Sequence, residues 1–210
     1  MHAWSDRSHG DLSGPLTSVP PGALPAAPRP WTWLEQVHGA EVVVVTAPGE
    51  HAGAEADAAV TAEPGCTLVV RTADCAPIVL LGDGAVGVVH AGWRGLVAGV
   101  VEAAVAALRD LSAGPVEARL GPCIHPCCYE FDGPARAELV ARVGPAAEGR
   151  TAWGTPAVDL PGAVAAELTR FDVPLPEPSP GCTACGDGWW SHRARQDPQR
   201  IAAAAWLERP

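Results

Sequence analysis

The sequence contains no lysine. All 14 basic residues are arginine, set against 24 acidic ones, for a net charge of −10. A chain of that sign does not track a phosphate backbone, which excludes broad nucleic-acid binding. Long apolar runs are missing too. Nothing approaches the ~18 consecutive apolar residues of a membrane span, and no N-terminal segment has the apolar core of a signal peptide. With seven cysteines at irregular spacing, this indicates a reducing, cytoplasmic setting in which thiols are free or bound to metal rather than paired. There is no internal repeat and no glycine-rich nucleotide fingerprint of the usual spacing.

What is present fits one domain of 210 residues, with a short Pro-rich segment over 1–30 and a compact core over 31–210. The 23 glycines and 22 prolines imply many short elements joined by tight turns. Residues 14–30 read as an extended connector that does not pack. The runs WTWLEQV, EVVVVTA, DAAVTAEPGCTLVVRTA and APIVLLGDGAVGVVHAG predict at least four strands. The segment WRGLVAGVVEAAVAALRDL then places Leu96, Val97, Val100, Val101, Ala104 and Leu108 on one helical face. VEARLGPCI predicts a strand, GPARAELVARV and LPGAVAAELTRF helices, and GWWSHRAR and RIAAAAWLE closing strands. Without strict βαβ alternation the expected class is α+β, with mixed β-sheets flanked by helices.

Chemistry concentrates around one predicted hairpin. Asp-Gly between apolar runs is a strong two-residue turn signal. With Asp83-Gly84 as the loop, His90 faces Pro77 and Cys75 lies diagonally on the same face. With Gly82-Asp83, Cys75 faces His90 directly. Either register lets thiolate and imidazole meet, whereas a three-residue loop separates them. Cys and His are both zinc ligands, and His38, followed by a glycine that permits close approach, is the natural third. One Cys and two His leave a fourth position for water, the pattern of a catalytic rather than a structural zinc. The competing reading makes Cys75 and His90 ordinary core residues.

The strings QVHGAEV, ADAAVT, TADCAPIVL, VVHAGWRGLVAGVV, GPCIHPCCYEF and WWSHRAR occur in the order found in the multicopper polyphenol oxidase (laccase) domain family. Members are also called purine nucleoside phosphorylases or peptidoglycan editing factors, and the chain resembles them from about Trp31 onward. The resemblance implies a zinc site of His38, Cys75 and His90 and a fold similar to cysteine hydrolase-like proteins. It also implies phosphorolysis of adenosine, inosine and methylthioadenosine, with adenosine deamination alongside. The N-terminal motif is kept in part, as Ser5, Arg7 and Gly10. The Asn-containing segment after it is replaced by the Pro-rich stretch, and of a Gly-Arg pair before the last strand only Arg200 remains.

Phosphorolysis needs cations for phosphate. Arg94, opening the helix after His90, is the first candidate as a catalytic cation, with Cys75 also catalytic. Arg7 and Arg193 are the candidate substrate-binding cations. Asp74 either orients a ligand or caps a turn. Trp93, Trp189 and Trp190 are candidates to stack on a purine, although core packing is the commoner use of Trp, and His125 reads as structural or pocket-lining. The thiols of Cys123, Cys127, Cys128, Cys182 and Cys185 suit a buried turn better than a second zinc site. The usual Glu-containing signature of zinc deaminases is absent. Three alternatives stand beside the zinc phosphorylase. One is a thiol hydrolase with Cys75 activated by His90. The second is a copper phenol oxidase, disfavoured by only seven histidines. The third is a non-catalytic zinc-stabilised factor in cell-wall assembly.

Overall fold

A computed structural model describes residues 1–14, 16, 24 and 26–209. The apolar runs of the first half pair into two sheets. The first holds β1 (His2–Trp4), β2 (Trp31–Glu35), β4 (Ala54–Glu55), β6 (Thr67–Thr72) and β12 (Ile201–Trp206), in the order β1-β12-β6-β2-β4. The second holds β3 (Val42–Val44), β5 (Ala58–Thr61), β7 (Ala76–Leu81), β8 (Val86–Ala91) and β9 (Glu117–Leu120), in the order β3-β5-β8-β7-β9. Both sheets mix parallel and antiparallel pairs. A small ribbon joins β10 (Glu148–Arg150) to β11 (Pro156–Val158). The class is α+β, as the element pattern implies.

Side-chain alternation explains the layering. In β8, Val86 and Val88 face the first sheet, where they meet Leu68, Val70, Ala203 and Ala205. Val89 and Ala91 face the other way, toward helices α1 (Trp93–Ala98), α2 (Val100–Leu111) and α4 (Leu160–Arg170). Because the second sheet is covered on both faces, β7 and β8 are continuous apolar runs rather than alternating ones. The remaining helices are α3 (Pro134–Val143) and the short α5 (His192–Arg195). Among the described residues no helix is long and apolar enough to cross a membrane.

Three expectations change. The helix expected after His90 is two helices, broken at Gly99, whose φ of 89° an L side chain resists. The predicted buried face holds at Leu96, Val100, Val101, Ala104 and Leu108, with Val97 half-buried. The 14–30 connector lies partly outside the described residues, but Leu16, Leu24 and Ala27 are buried. They cover Trp31, Val69, Ala202, Ala204 and Trp206 on the outer face of the first sheet. GWWSHRAR is not a strand. The Ser191 side chain accepts from Ala194 N at 3.1 Å and caps α5, so local capping overrides the aromatic pattern.

Leu108 is fully buried between α2 and the second sheet. Leu108→Ala is expected to cost about 2–5 kcal/mol, read as a lower urea midpoint at unchanged slope.

Candidate metal centre and its cavity

The hairpin register is one of the two that the Asp-Gly turn allows. Pro77 pairs with His90, and Gly82 N donates to Ala85 O at 2.9 Å across the Asp83-Gly84 loop. Cys75, just before β7, and His90, on β8, therefore share the face that looks toward the first sheet. His38 enters from the turn after β2. Its φ of 60° is left-handed, an uncommon conformation for a residue with a Cβ.

Asp57, at the start of β5, explains that conformation. Its carboxylate is fully buried and accepts the backbone N–H groups of Val37 (3.2 Å), His38 (3.0 Å) and Gly39 (2.7 Å). It also accepts from His90 Nδ1 at 2.7 Å. Burial opposes the charge on Asp57, but the hydrogen bonds from His90 and the loop outweigh it and lower its pKa. With Nδ1 committed to Asp57, Nε2 of His90 is the nitrogen left for a ligand.

The ligand atoms of His38, Cys75 and His90 all lie within 4.8 Å of one another. Cys75 Sγ is 3.6 Å from His38 Nε2, and the two imidazoles pack edge to face with centroids 4.8 Å apart. Burial disfavours the Cys75 thiolate, yet the two histidines pull its pKa down to about 6. Burial likewise disfavours the His90 imidazolium, and the charges of Cys75 and Asp57 raise it to about 9. In the metal-free chain the two form a thiolate–imidazolium pair. A soft thiolate, two imidazoles, a carboxylate behind one of them and an open side form a donor set that fits zinc. Gly92 makes the approach feasible: a Cβ there would stand 2.8 Å from His38 Cδ2 and 3.0 Å from Cys75 Sγ.

A cavity of about 560 Å³ opens over the three residues, walled also by Glu35, Gln36, Arg71, His192 and Arg200. Gln36 bonds the backbone of Arg71 at both ends of its amide, at 2.7 and 2.9 Å. The Arg71 guanidinium spends donors on the carbonyls of Ser13, Gly14 and Leu34.

The other expected site residues, Arg7, Arg94 and Arg193, are not in the wall of this cavity. Arg94 is exposed and stacks on Trp93, 4.6 Å from the ring centroid. Arg193 lies over Tyr129 at 4.9 Å and lines a separate cavity with Cys128, Glu130 and Trp153. Arg7 stacks on Trp190 at 4.1 Å. Trp93, Phe131 and Tyr129 form a rank of edge-to-face rings. Burial raises the Tyr129 phenol, the charge of Cys75 adds to the rise, and Arg193 and Arg94 offset it. Both arginines thus lie against this rank, Arg94 on Trp93 and Arg193 on Tyr129. Among the described residues the Asp74 carboxylate bonds neither His38 nor His90. Its carboxylate accepts from Thr183 Oγ1 (2.7 Å) and Arg193 N (2.6 Å), tying loops together. Sequence reasoning passed over Asp57, Gly92, Gln36 and Arg71. An acidic residue opening the otherwise apolar run AAVT was the signal available for Asp57.

The chain is similar to known proteins over most of its length. The family model described as multi-copper polyphenol oxidoreductase laccase matches residues 22–208. A Streptomyces coelicolor protein named purine nucleoside phosphorylase is 43% identical over 95% of this chain and 85% of its own. One of that name from Mycobacterium tuberculosis is 37% identical, over 84% and 72%. Among solved structures, a Neisseria meningitidis protein superposes with a TM-score of 0.74 at 29% identity, covering 86% of this chain and 76% of that one. YlmD from Geobacillus stearothermophilus gives 0.73 at 30% identity, covering 85% and 74%.

Two outcomes follow from the geometry. Gly92→Ala forces His38 and Cys75 apart, and Asp57→Asn weakens the bond behind His90. Each is expected to lower zinc affinity, the second by about 10–100-fold, measured by chelator competition. In the metal-free protein the Cys75 thiolate persists above its depressed pKa. Alkylation of Cys75 should therefore rise with a midpoint near pH 6, and zinc should block it. A midpoint at the ordinary ~8.5 of a free cysteine would contradict the pairing with His90.

Proposed function

The chain belongs to the multi-copper polyphenol oxidoreductase laccase family, and on that footing we propose that it is a zinc-dependent purine nucleoside phosphorylase that also deaminates adenosine. The observation that carries this reading is the convergence of His38, Cys75 and His90 beneath a 560 Å³ cavity, in a chain whose curated relatives bear the phosphorylase name. The substrates are adenosine, inosine and methylthioadenosine with inorganic phosphate. The setting is the cytoplasm, and the whole chain acts as one domain.

Phosphorolysis joins a phosphate oxygen to C1′ of the ribose as the bond from C1′ to the purine breaks. It releases ribose 1-phosphate and the free base, which takes up a proton. Deamination adds water at C6 of adenine and expels ammonia. Bound zinc would supply Lewis acidity to one reactant. The protein's own groups do the rest. Asp57 fixes the tautomer of His90 and the loop of His38. Arg71 and Arg200 bring positive charge into the cavity wall, with Gln36 holding the Arg71 backbone in place. Glu35 and His192 are the wall groups able to carry a proton to or from the base. Arg94 and Arg193, beside the Trp93–Phe131–Tyr129 rank, are proposed to attract phosphate and the nucleoside, with Arg7 further out. Zinc rather than copper is favoured by the donor set, because no further histidine joins the three-residue group among the described residues.

One observation favours a second reading. Asp57, His90 and Cys75 are arranged as orienter, base and nucleophile, and the thiol is already depressed to about 6. A metal-free thiol hydrolase would use the same three residues.

Zinc analysis combined with a nucleoside assay separates the two. The proposal expects bound zinc, lost with phosphate-dependent release of ribose 1-phosphate in Cys75→Ala and His38→Ala. Arg94→Ala is expected to raise the KM for phosphate several-fold at retained zinc. Full activity without metal, abolished by alkylating Cys75, would establish the thiol enzyme instead.

A further inference from the structure

A second convergence of thiols lies away from the cavity. Cys127 and Cys128 follow β9 in the turn HPCCY, and Cys182 and Cys185 belong to CTAC, more than fifty residues later. Their sulfurs all lie within 4.8 Å of one another. Cys128 Sγ stands 2.9 Å and Cys127 Sγ 3.3 Å from Cys185 Sγ. The expected buried turn holds only in part: HPCCY is a turn, but Cys127, Cys128 and Cys182 are half-buried and Cys185 is exposed. Cys123, by contrast, is fully buried outside the group, with its sulfur 3.8 Å from Ser179 Oγ.

The backbone builds this convergence. Cys123 and Cys182 form a parallel bridge, and Thr183 N donates to Cys123 O at 3.0 Å. His125 N donates to Cys182 Sγ at 3.3 Å, which fixes that sulfur beside the HPCCY turn. Four sulfurs around one zinc ion sit about 2.3 Å from the metal and so about 3.8 Å from each other. The observed separations, from 2.9 Å up to at most 4.8 Å, bracket that spacing. Four sulfurs supply every position of a tetrahedral ion, whereas the His38–Cys75–His90 group supplies three.

We propose that Cys127, Cys128, Cys182 and Cys185 bind a second, structural zinc ion as a closed tetrathiolate site. The ion clips the loop after β9 to the CTAC loop. Both loops also reach Asp74, through Ile124 N to its carbonyl at 2.8 Å and Thr183 Oγ1 to its carboxylate. Asp74 precedes Cys75 and holds a left-handed φ of 95°. The second zinc thus anchors the residue from which Cys75 projects.

Zinc content of the full chain tests this in two backgrounds. Cys182→Ser with Cys185→Ser is expected to remove one zinc per chain from the wild type and likewise from a His90→Ala variant, where it leaves none. That readout holds whatever metal the cavity carries. Unchanged zinc content on the double substitution overturns the proposal. So does a thiol titration of chelated, denatured protein that finds three free cysteines, the mark of two disulfides, where seven are expected. If the double variant does not fold, cadmium-113 NMR of the substituted wild type decides. A strongly deshielded tetrathiolate resonance supports the site, and its absence overturns it.

Discussion

The carboxylate of Asp57 holds the centre together. A buried charge is costly unless its oxygens are satisfied, and here four donors satisfy them: three consecutive backbone amides and one imidazole. The arrangement is reciprocal. The charge is tolerable only if the loop carrying His38 wraps around it, and that loop is held in its left-handed turn only because the charge is there. Asp57 also binds His90 through the main chain, since His90 N donates to Asp57 O at 2.7 Å. One residue outside the candidate donor group therefore positions two of its three members.

The scaffold beneath suits that precision. The second sheet is packed on both faces, against the first sheet on one side and α1, α2 and α4 on the other. A one-residue slip of β7 against β8 would exchange the residues of two cores at once, so the register that aligns Cys75 with His90 is the register that packing enforces. The site lies where β7 begins and β8 ends. There the sheet stops supplying its own hydrogen bonds, and loops can bring in His38, Gly92 and the Asp74 contacts.

The sequence made the local parts of this readable. The Asp-Gly turn and two apolar runs sufficed for the hairpin and for the shared face of Cys75 and His90. The family strings pointed to His38 as well. What stayed hidden was long-range. Asp57 looked like one polar residue before AAV, because its value lies in amides of a loop some twenty residues away. Gly99 broke a helix whose periodicity ran through it unchanged. Trp189 and Trp190 suggested a strand, whereas the decisive signal was the cap at Ser191. The four-thiol cluster joins segments that no spacing rule relates, brought together by the Cys123–Cys182 bridge and the hydrogen bonds around it.

β12 lies in the interior of the first sheet, between β1 and β6, and β1 has no other partner in it. On a ribosome the consequence is temporal. His38, Cys75 and His90, with Asp57 behind them, have all emerged long before residues 201–206 exist, and the strands of the second sheet pair among themselves without β12, which later covers Val86 and Val88 with Ala203 and Ala205. The first sheet must wait for that strand, as must the wall of the cavity that includes His192 and Arg200. A nascent chain therefore carries all three candidate ligands before it carries the residues that complete the cavity over them.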